Sequence, residues 1–188
     1  MTVGILAIQG DFEAHARVLE GLGASWRYVK RAADLAGVDA LIIPGGESTT
    51  FLKFLERDGF LDELRRFGQE KPVFGTCAGT ILLAREVHNP PQSSLGVMDI
   101  SVERNAYGRQ VESAVRRGRT VLKDGPMEMV FIRAPIIRGV GPGVRVLAEC
   151  DGLPVCVEQG RCLASTFHPE LSGDSTLHEH FLRLAANH

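Results

Sequence analysis

A cysteine between two glycines, in Gly75-Thr76-Cys77-Ala78-Gly79, ends a short apolar run and opens a helical pattern. Glycine on each side suits a sharp strand-to-helix turn, where backbone segments crowd and a Cβ would clash. Such a turn lifts one side chain above the end of a sheet and points it at solvent. It also sets the thiol at a helix N-terminus, where the dipole and free N–H groups favour thiolate over thiol. Far downstream, Phe167-His168-Pro169-Glu170 offers an imidazole and a carboxylate. Glu170 lies two residues beyond His168, so an extended backbone would place both side chains on one side. The carboxylate would then hold the imidazole in one tautomer while its other nitrogen faces the thiol. A lone histidine is more often a surface or satisfied core residue, but this spacing favours a Cys77–His168–Glu170 nucleophilic site.

Two glycine-containing segments could complete such a site. Gly45-Gly46-Glu47-Ser48 follows the apolar run at 39–44, and Gln9-Gly10 follows the one at 3–9. A Gly-Gly backbone can turn N–H groups towards a developing oxyanion, as can the N–H of Ala78 just after the cysteine. Taken alone, Pro44-Gly45-Gly46 is only a turn; its expected place beside Cys77 gives it a role. Arg104 and Arg133 each follow a strand-like segment. Either could bind a substrate carboxylate or simply pair with a nearby acid, and the residues alone leave both readings open. Arg116-Arg117-Gly118-Arg119 is expected to be a solvated loop, with a docking surface as the alternative. His15, His88, His178, His180 and His188 lie in helical or loop patterns with no evident partners, which predicts surface positions.

The elements that must position these groups alternate in the first half of the chain. Apolar runs at 3–9, 25–30, 39–44 and 72–75 read as strands, and helical spacing at 11–22, 51–68 (interrupted at Gly59) and 78–87 separates them. This alternation predicts an α/β fold with a doubly wound, mostly parallel sheet and flanking helices. Ligands of such sheets bind beyond the carboxyl ends of the strands, where Gln9, Gly45-Gly46 and Cys77 would all fall. The second half carries shorter strand-like segments at 97–103, 119–122, 129–132, 144–148, 154–158 and 162–166, some joined by hairpin-length links such as Asp151-Gly152. These predict additional antiparallel strands, and 177–186 reads as a closing helix.

The chain of 188 residues suits one domain spanning 1–188. A formal net charge of −2 gives no electrostatic footprint for nucleic acid or an anionic membrane. The first residues run straight into a strand pattern without a signal-peptide profile, and no apolar stretch is long enough to span a bilayer, so a cytoplasmic location is expected. Cys150, Cys156 and Cys162 fall in apolar segments with no zinc-ligand spacing. They are expected as buried small hydrophobes rather than disulfide partners.

The elbow and the Phe167-His168-Pro169-Glu170 string together resemble the class I, triad-type glutamine amidotransferases. Further strings narrow the likeness: Leu6-Ala7-Ile8-Gln9-Gly10-Asp11, Pro44-Gly45-Gly46-Glu47-Ser48-Thr49-Thr50, Glu103-Arg104-Asn105-Ala106-Tyr107-Gly108-Arg109-Gln110 and Phe131-Ile132-Arg133-Ala134-Pro135. They resemble the glutaminase subunits of pyridoxal 5′-phosphate synthases. The resemblance covers nearly the whole chain and implies hydrolysis of L-glutamine to L-glutamate and ammonia. Cys77 would be the nucleophile, His168 its base and later acid, and Glu170 the orienting carboxylate. Gly46, Glu47, Ser48, Arg104, Ile132 and Arg133 would hold glutamine, and Gln9-Gly10 would help complete the oxyanion site when a partner docks. The implied partner is a synthase (lyase) subunit in a hetero-oligomer, which would receive the ammonia for vitamin B6 synthesis. No cofactor and no metal would be bound by this chain. One stretch departs from the pattern: Ala114-Val115-Arg116-Arg117-Gly118-Arg119 stands where that family usually has an aromatic and acidic residues. The competing readings are another elbow-cysteine hydrolase of related fold and a non-catalytic binding module.

Overall fold

The computed structural model describes residues 1–105 and 113–188. It begins with β1 (Thr2–Leu6), α1 (Phe12–Gly21), β2 (Ser25–Val29), β3 (Ala40–Ile43), α2 (Ser48–Leu55), α3 (Phe60–Glu70) and β4 (Val73–Thr76). A short helix, α4 (Ala78–Leu83), leads to β5 (Ala84–His88), β6 (Met98–Glu103), β7 (Ala114–Thr120), β8 (Met127–Phe131) and β9 (Ile136–Val140). The chain closes with β10 (Arg145–Cys150), β11 (Leu153–Gln159), β12 (Cys162–Ser165) and α5 (Thr176–Ala186). Among the described residues these strands form a nine-stranded sheet, ordered β2-β1-β3-β4-β12-β11-β10-β7-β8, and a three-stranded sheet, β5-β6-β9. From β2 to β12 the neighbours are parallel, and from β12 to β8 they are antiparallel. The α/β architecture expected from the alternating pattern is therefore present, with its antiparallel extension.

Both faces of the parallel part are covered because its strands are apolar on both sides. In β3, Ala40 and Ile42 join one buried cluster with Leu19 of α1 and Phe181 of α5. Leu41 and Ile43 join another, with Phe51 and Leu55 of α2 and Leu64 of α3. The period of two thus sorts consecutive side chains onto opposite helical layers. Each fully buried aliphatic or aromatic side chain contributes about 1.5–3 kcal/mol. β1 lies between β2 and β3, so the connections leaving it diverge, and a crevice opens at the carboxyl ends of β1 and β3. Among the described residues no helix is long and apolar enough to cross a membrane.

Several expectations are corrected. The helix foreseen over 78–87 stops at Leu83, and Ala84–His88 pairs in parallel with β6. All of α4 is buried, so continuing it would carry Arg85 and Glu86 into the core; the strand leaves both exposed. The basic cluster at 116–119 is not a loop but part of β7, hydrogen-bonded between β10 and β8. β9 was not foreseen at all. His15 and His178 are not surface residues but fully buried, and His180 is half-buried against Glu158. The three remaining cysteines are buried, and all four are free thiols. Residues 106–110 of the Glu103–Gln110 string lie outside the described residues.

Candidate active site

Four adjacent parallel strands, β1, β3, β4 and β12, each release a loop at the same edge of the sheet. The loops carry Gln9-Gly10-Asp11, Gly45-Gly46-Glu47, Cys77 and His168 respectively. Cys77 sits at the β4–α4 turn with φ 49° and ψ −104°, a strained conformation for a residue with a side chain. Its N–H donates to Ser165 O of neighbouring β12 at 2.8 Å, and Thr80 Oγ1 lies 2.6 Å from the same carbonyl. The flanking glycines are needed because backbone crosses there. A Cβ on Gly79 would stand 2.1 Å from Ile43 O, and one on Gly75 would stand 2.6 Å from the Gly79 carbonyl carbon.

His168 is fixed by the strand at the far edge: its N–H donates to Val130 O of β8 at 2.8 Å. Its Nδ1–H donates to Glu170 Oε1 at 2.7 Å, and both side chains are almost wholly buried. The pair does not form through extended backbone as foreseen. Pro169–Leu171 is a single 3-10 turn, started by proline, that curls the carboxylate back under the ring. Burial alone would depress the imidazole pKa, but the hydrogen bonds with Cys77 and Glu170 and their charges outweigh it and raise it to about 10. Burial raises the Glu170 carboxyl, opposed by its hydrogen bond and charge contact with His168. The imidazole ring packs against Gly45, where a Cβ would come within 2.4 Å of Cε1.

These loops surround a cleft of about 250 Å³. Cys77, His168, Gly46, Glu47, Ser48, Arg104, Ile132 and Arg133 all line it, so the structure brings together the foreseen nucleophile, base and glutamine-binding residues, with Glu170 behind His168. Ile132 O is 3.8 Å from Cys77 Sγ. Glu47 caps α2, accepting from Thr49 N at 2.9 Å and Thr50 N at 2.7 Å. Burial would raise its carboxyl, but these bonds and the Thr50 hydroxyl hold it down to about 2. Arg104 Nη2 donates to Thr49 Oγ1 at 2.9 Å, which aims its guanidinium across the mouth of the cleft. Gln9 does not line the cleft but ties two of its loops, its Nε2 donating to Glu47 O at 2.5 Å.

Asp11, Ile81, Asn105 and Pro135 line the cleft as well, and none was foreseen there. Asp11 adjoins Gln9-Gly10 and Pro135 follows Arg133 in sequence, so position in those strings was the available signal. Asp11 Oδ2 approaches His168 Nδ1 to 3.9 Å, and with Glu170 it offers three ligand atoms within 4.8 Å of one another. The Nδ1–Oε1 hydrogen bond already occupies two of them, so a metal ion would have to break it. What the arrangement can do is nucleophilic: a thiol at a strained turn, an adjacent imidazole, a carboxylate behind it, and cations at the rim.

Residues 5–187 match the SNO glutamine amidotransferase family. A pyridoxal 5′-phosphate synthase subunit PdxT of Koribacter versatilis is 57% identical over 187 residues, covering 100% of this chain and 97% of the relative. One of the same name from Thermus thermophilus is 52% identical, covering 97% of each. A solved glutamine amidotransferase is 49% identical, covers 98% of each chain and superposes with a TM-score of 0.91. Likeness of this extent, running through every loop that builds the cleft, makes the chain a member of the SNO glutamine amidotransferase family.

Proposed function

We propose that this chain, as one domain over residues 1–188, is the glutaminase subunit of a pyridoxal 5′-phosphate synthase. It hydrolyses L-glutamine and passes the ammonia to a synthase (lyase) subunit in a hetero-oligomer. The observation that carries this reading is that His168, whose Nδ1–H donates to Glu170 Oε1 at 2.7 Å, shares the cleft with Cys77. In the reaction Cys77 Sγ bonds to the carboxamide carbon of glutamine, and the carbonyl π electrons move onto oxygen. Backbone N–H groups of Ala78 and the Gly45-Gly46 loop stabilise that oxyanion, with Gln9-Gly10 completing the arrangement when the partner docks. The C–N bond then breaks as His168 gives its proton to the departing ammonia, leaving a γ-glutamyl thioester. Water, deprotonated by His168, attacks the thioester and releases glutamate.

Glu170 orients the imidazole throughout. Arg104 and Arg133 take the substrate carboxylate, with Gly46, Glu47, Ser48 and Ile132 forming the rest of the glutamine pocket. Four free cysteines suit a reducing cytoplasm. The test is glutamate release from glutamine by this chain, alone and with a cognate synthase subunit, beside Cys77→Ala. Turnover that is slow alone, rises with the partner and vanishes in the variant is expected, and ammonium salts should restore ring formation by the variant complex. No glutamate release under either condition would overturn the reading and favour a binding module.

A further inference from the structure

Behind the cleft, on the side of Glu170 away from His168, lies a buried pair of histidines that the reaction above does not use. His15 of α1 and His178 of α5 are both 0% exposed. His15 Nδ1 lies 2.9 Å from His178 Nε2. His15 Nε2 lies 3.2 Å from Thr76 Oγ1, on the residue before Cys77, and 3.4 Å from Glu170 Oε2. Among the described residues, no hydrogen-bond partner at ordinary distance meets Glu170 Oε2 or His178 Nδ1. We propose that His15 is a positioning residue for the proposed glutaminase, holding Glu170 by its second oxygen while His178 fixes the His15 tautomer.

Burial depresses the pKa of both histidines, that of His178 to about 4, so each is neutral and carries a single N–H. A carboxylate oxygen can only accept. If His178 Nε2–H donates to His15 Nδ1, the His15 proton is on Nε2, where it faces Glu170 Oε2 and Thr76. The atom left over is then His178 Nδ1, a bare lone pair. In the opposite arrangement His15 Nε2 would present a lone pair to the carboxylate, and a buried N–H on His178 would also go unpaired. The first arrangement strands one weak acceptor; the second strands a donor and sets like charge density face to face. The donor chain therefore runs from His178 through His15 to Glu170 and meets the bond from His168 on the other oxygen.

The proposal rests on the glutaminase reading and is tested so that the two can fail separately. His15→Leu, His15→Gln and His178→Leu are assayed in complex with a cognate synthase subunit, with thermal unfolding as the fold control. The titration of His168, which faces Cys77, Glu170 and Asp11, is followed by imidazole NMR. His15→Leu should lower kcat about 10- to 100-fold and leave KM within about twofold. The His168 titration should move to lower pH, because a freed carboxylate stabilises the imidazolium less. His15→Gln, whose amide N–H can reach the same oxygen, should return kcat to within about fivefold of wild type. A folded His15→Leu with unchanged kcat and unchanged His168 titration would overturn the proposal, as would His15→Gln as impaired as His15→Leu. Should His15→Leu fail to fold, His178→Leu decides: lowered kcat with unchanged KM supports the proposal, and wild-type kcat sinks it. A wild-type complex that releases no glutamate while His15→Leu still shifts His168 would leave the positioning role standing and remove the glutaminase.

Discussion

The carboxyl edge of the parallel strands and the antiparallel wing of β10, β7 and β8 hold similar residue types in different settings. In the wing, Arg119 pairs with Glu149 at 2.9 Å, but the arginine side chain is 87% exposed, and the neighbouring Arg116–Asp151 pair is also open to solvent. Water screens such pairs, which are typically worth about 0–1 kcal/mol. At the edge, the His168–Glu170 pair has side chains 4% and 0% exposed, and its protonation is set by Cys77 and by burial. There each group fixes the state of the next, and removing one changes the rest. Density of charge marks neither region; what separates them is whether solvent or another side chain answers each charge.

The thiols give the largest expected contrast. Cys77 lines the cleft, whereas Cys162 and Cys156 are buried among apolar side chains. Burial pushes the Cys162 thiol up to about 11 and the Cys156 thiol higher still, and it also raises Cys150 in the wing. With a pKa near 11, only about a thousandth of Cys162 is thiolate at pH 8. Iodoacetamide at pH 8 should therefore alkylate Cys77, which faces the cleft, at least about tenfold faster than Cys162 or Cys156 in the folded protein. Peptide mass mapping against time reads this directly. Comparable rates at two or more cysteines would mean that the edge has no special thiol.

Glycines test geometry in the same two places. A Cβ at Gly45 meets the His168 ring at 2.4 Å, and a Cβ at Gly118 in β7 meets Glu149 O at 2.5 Å and Met129 Cε at 2.6 Å. Gly45→Ala should displace the imidazole and cost about 100-fold in glutamate release, because misplacement by an ångström is enough. Gly118→Ala should instead cost about 1–3 kcal/mol of stability by overpacking, with turnover per folded molecule unchanged. Activity and thermal melts of both variants separate the two effects. Loss of turnover in folded Gly118→Ala would couple the wing to the site and break the contrast.

Local patterns carried much of this into the sequence. The elbow was legible because Gly75, Cys77 and Gly79 are neighbours and the crowding they relieve is local. The approach of His168 to Glu170 was legible too, though for a different backbone: a 3-10 turn rather than an extended segment achieves it. His15 and His178 were not legible, because helical spacing shows that a residue shares a face with Leu19 or Phe181 but not that a polar ring will find a partner there. That partner lies 163 positions away and is supplied only when α1 and α5 pack over β4. Only the end of β7 fell within the strand-like segment at 119–122; its first part was not legible because arginines stand on both registers near Gly118 and only that glycine is buried, so no period of two appears.

Arginine gives the smaller contrasts. Arg104 is anchored at the cleft by Thr49 Oγ1, and Arg119 is anchored in the wing by Glu149. Losing a charged hydrogen-bond donor to a bound carboxylate costs about 1.5–3 kcal/mol, so Arg104→Met should raise KM for glutamine about tenfold or more. An equal fall in kcat and kcat/KM, with KM unchanged, would place Arg104 in the chemistry rather than in binding. Arg119→Ala removes only a screened surface pair, for which stability should change by less than about 1 kcal/mol. Its kcat and KM in the complex should stay within about twofold of wild type, because no buried group depends on it. A tenfold change in the partner-dependent rate from Arg119→Ala, with the rate of the isolated chain unaffected, would show that the exposed strand meets the synthase subunit. The wing would then have a function that its solvent-screened charges do not reveal, and exposure would no longer separate the two regions.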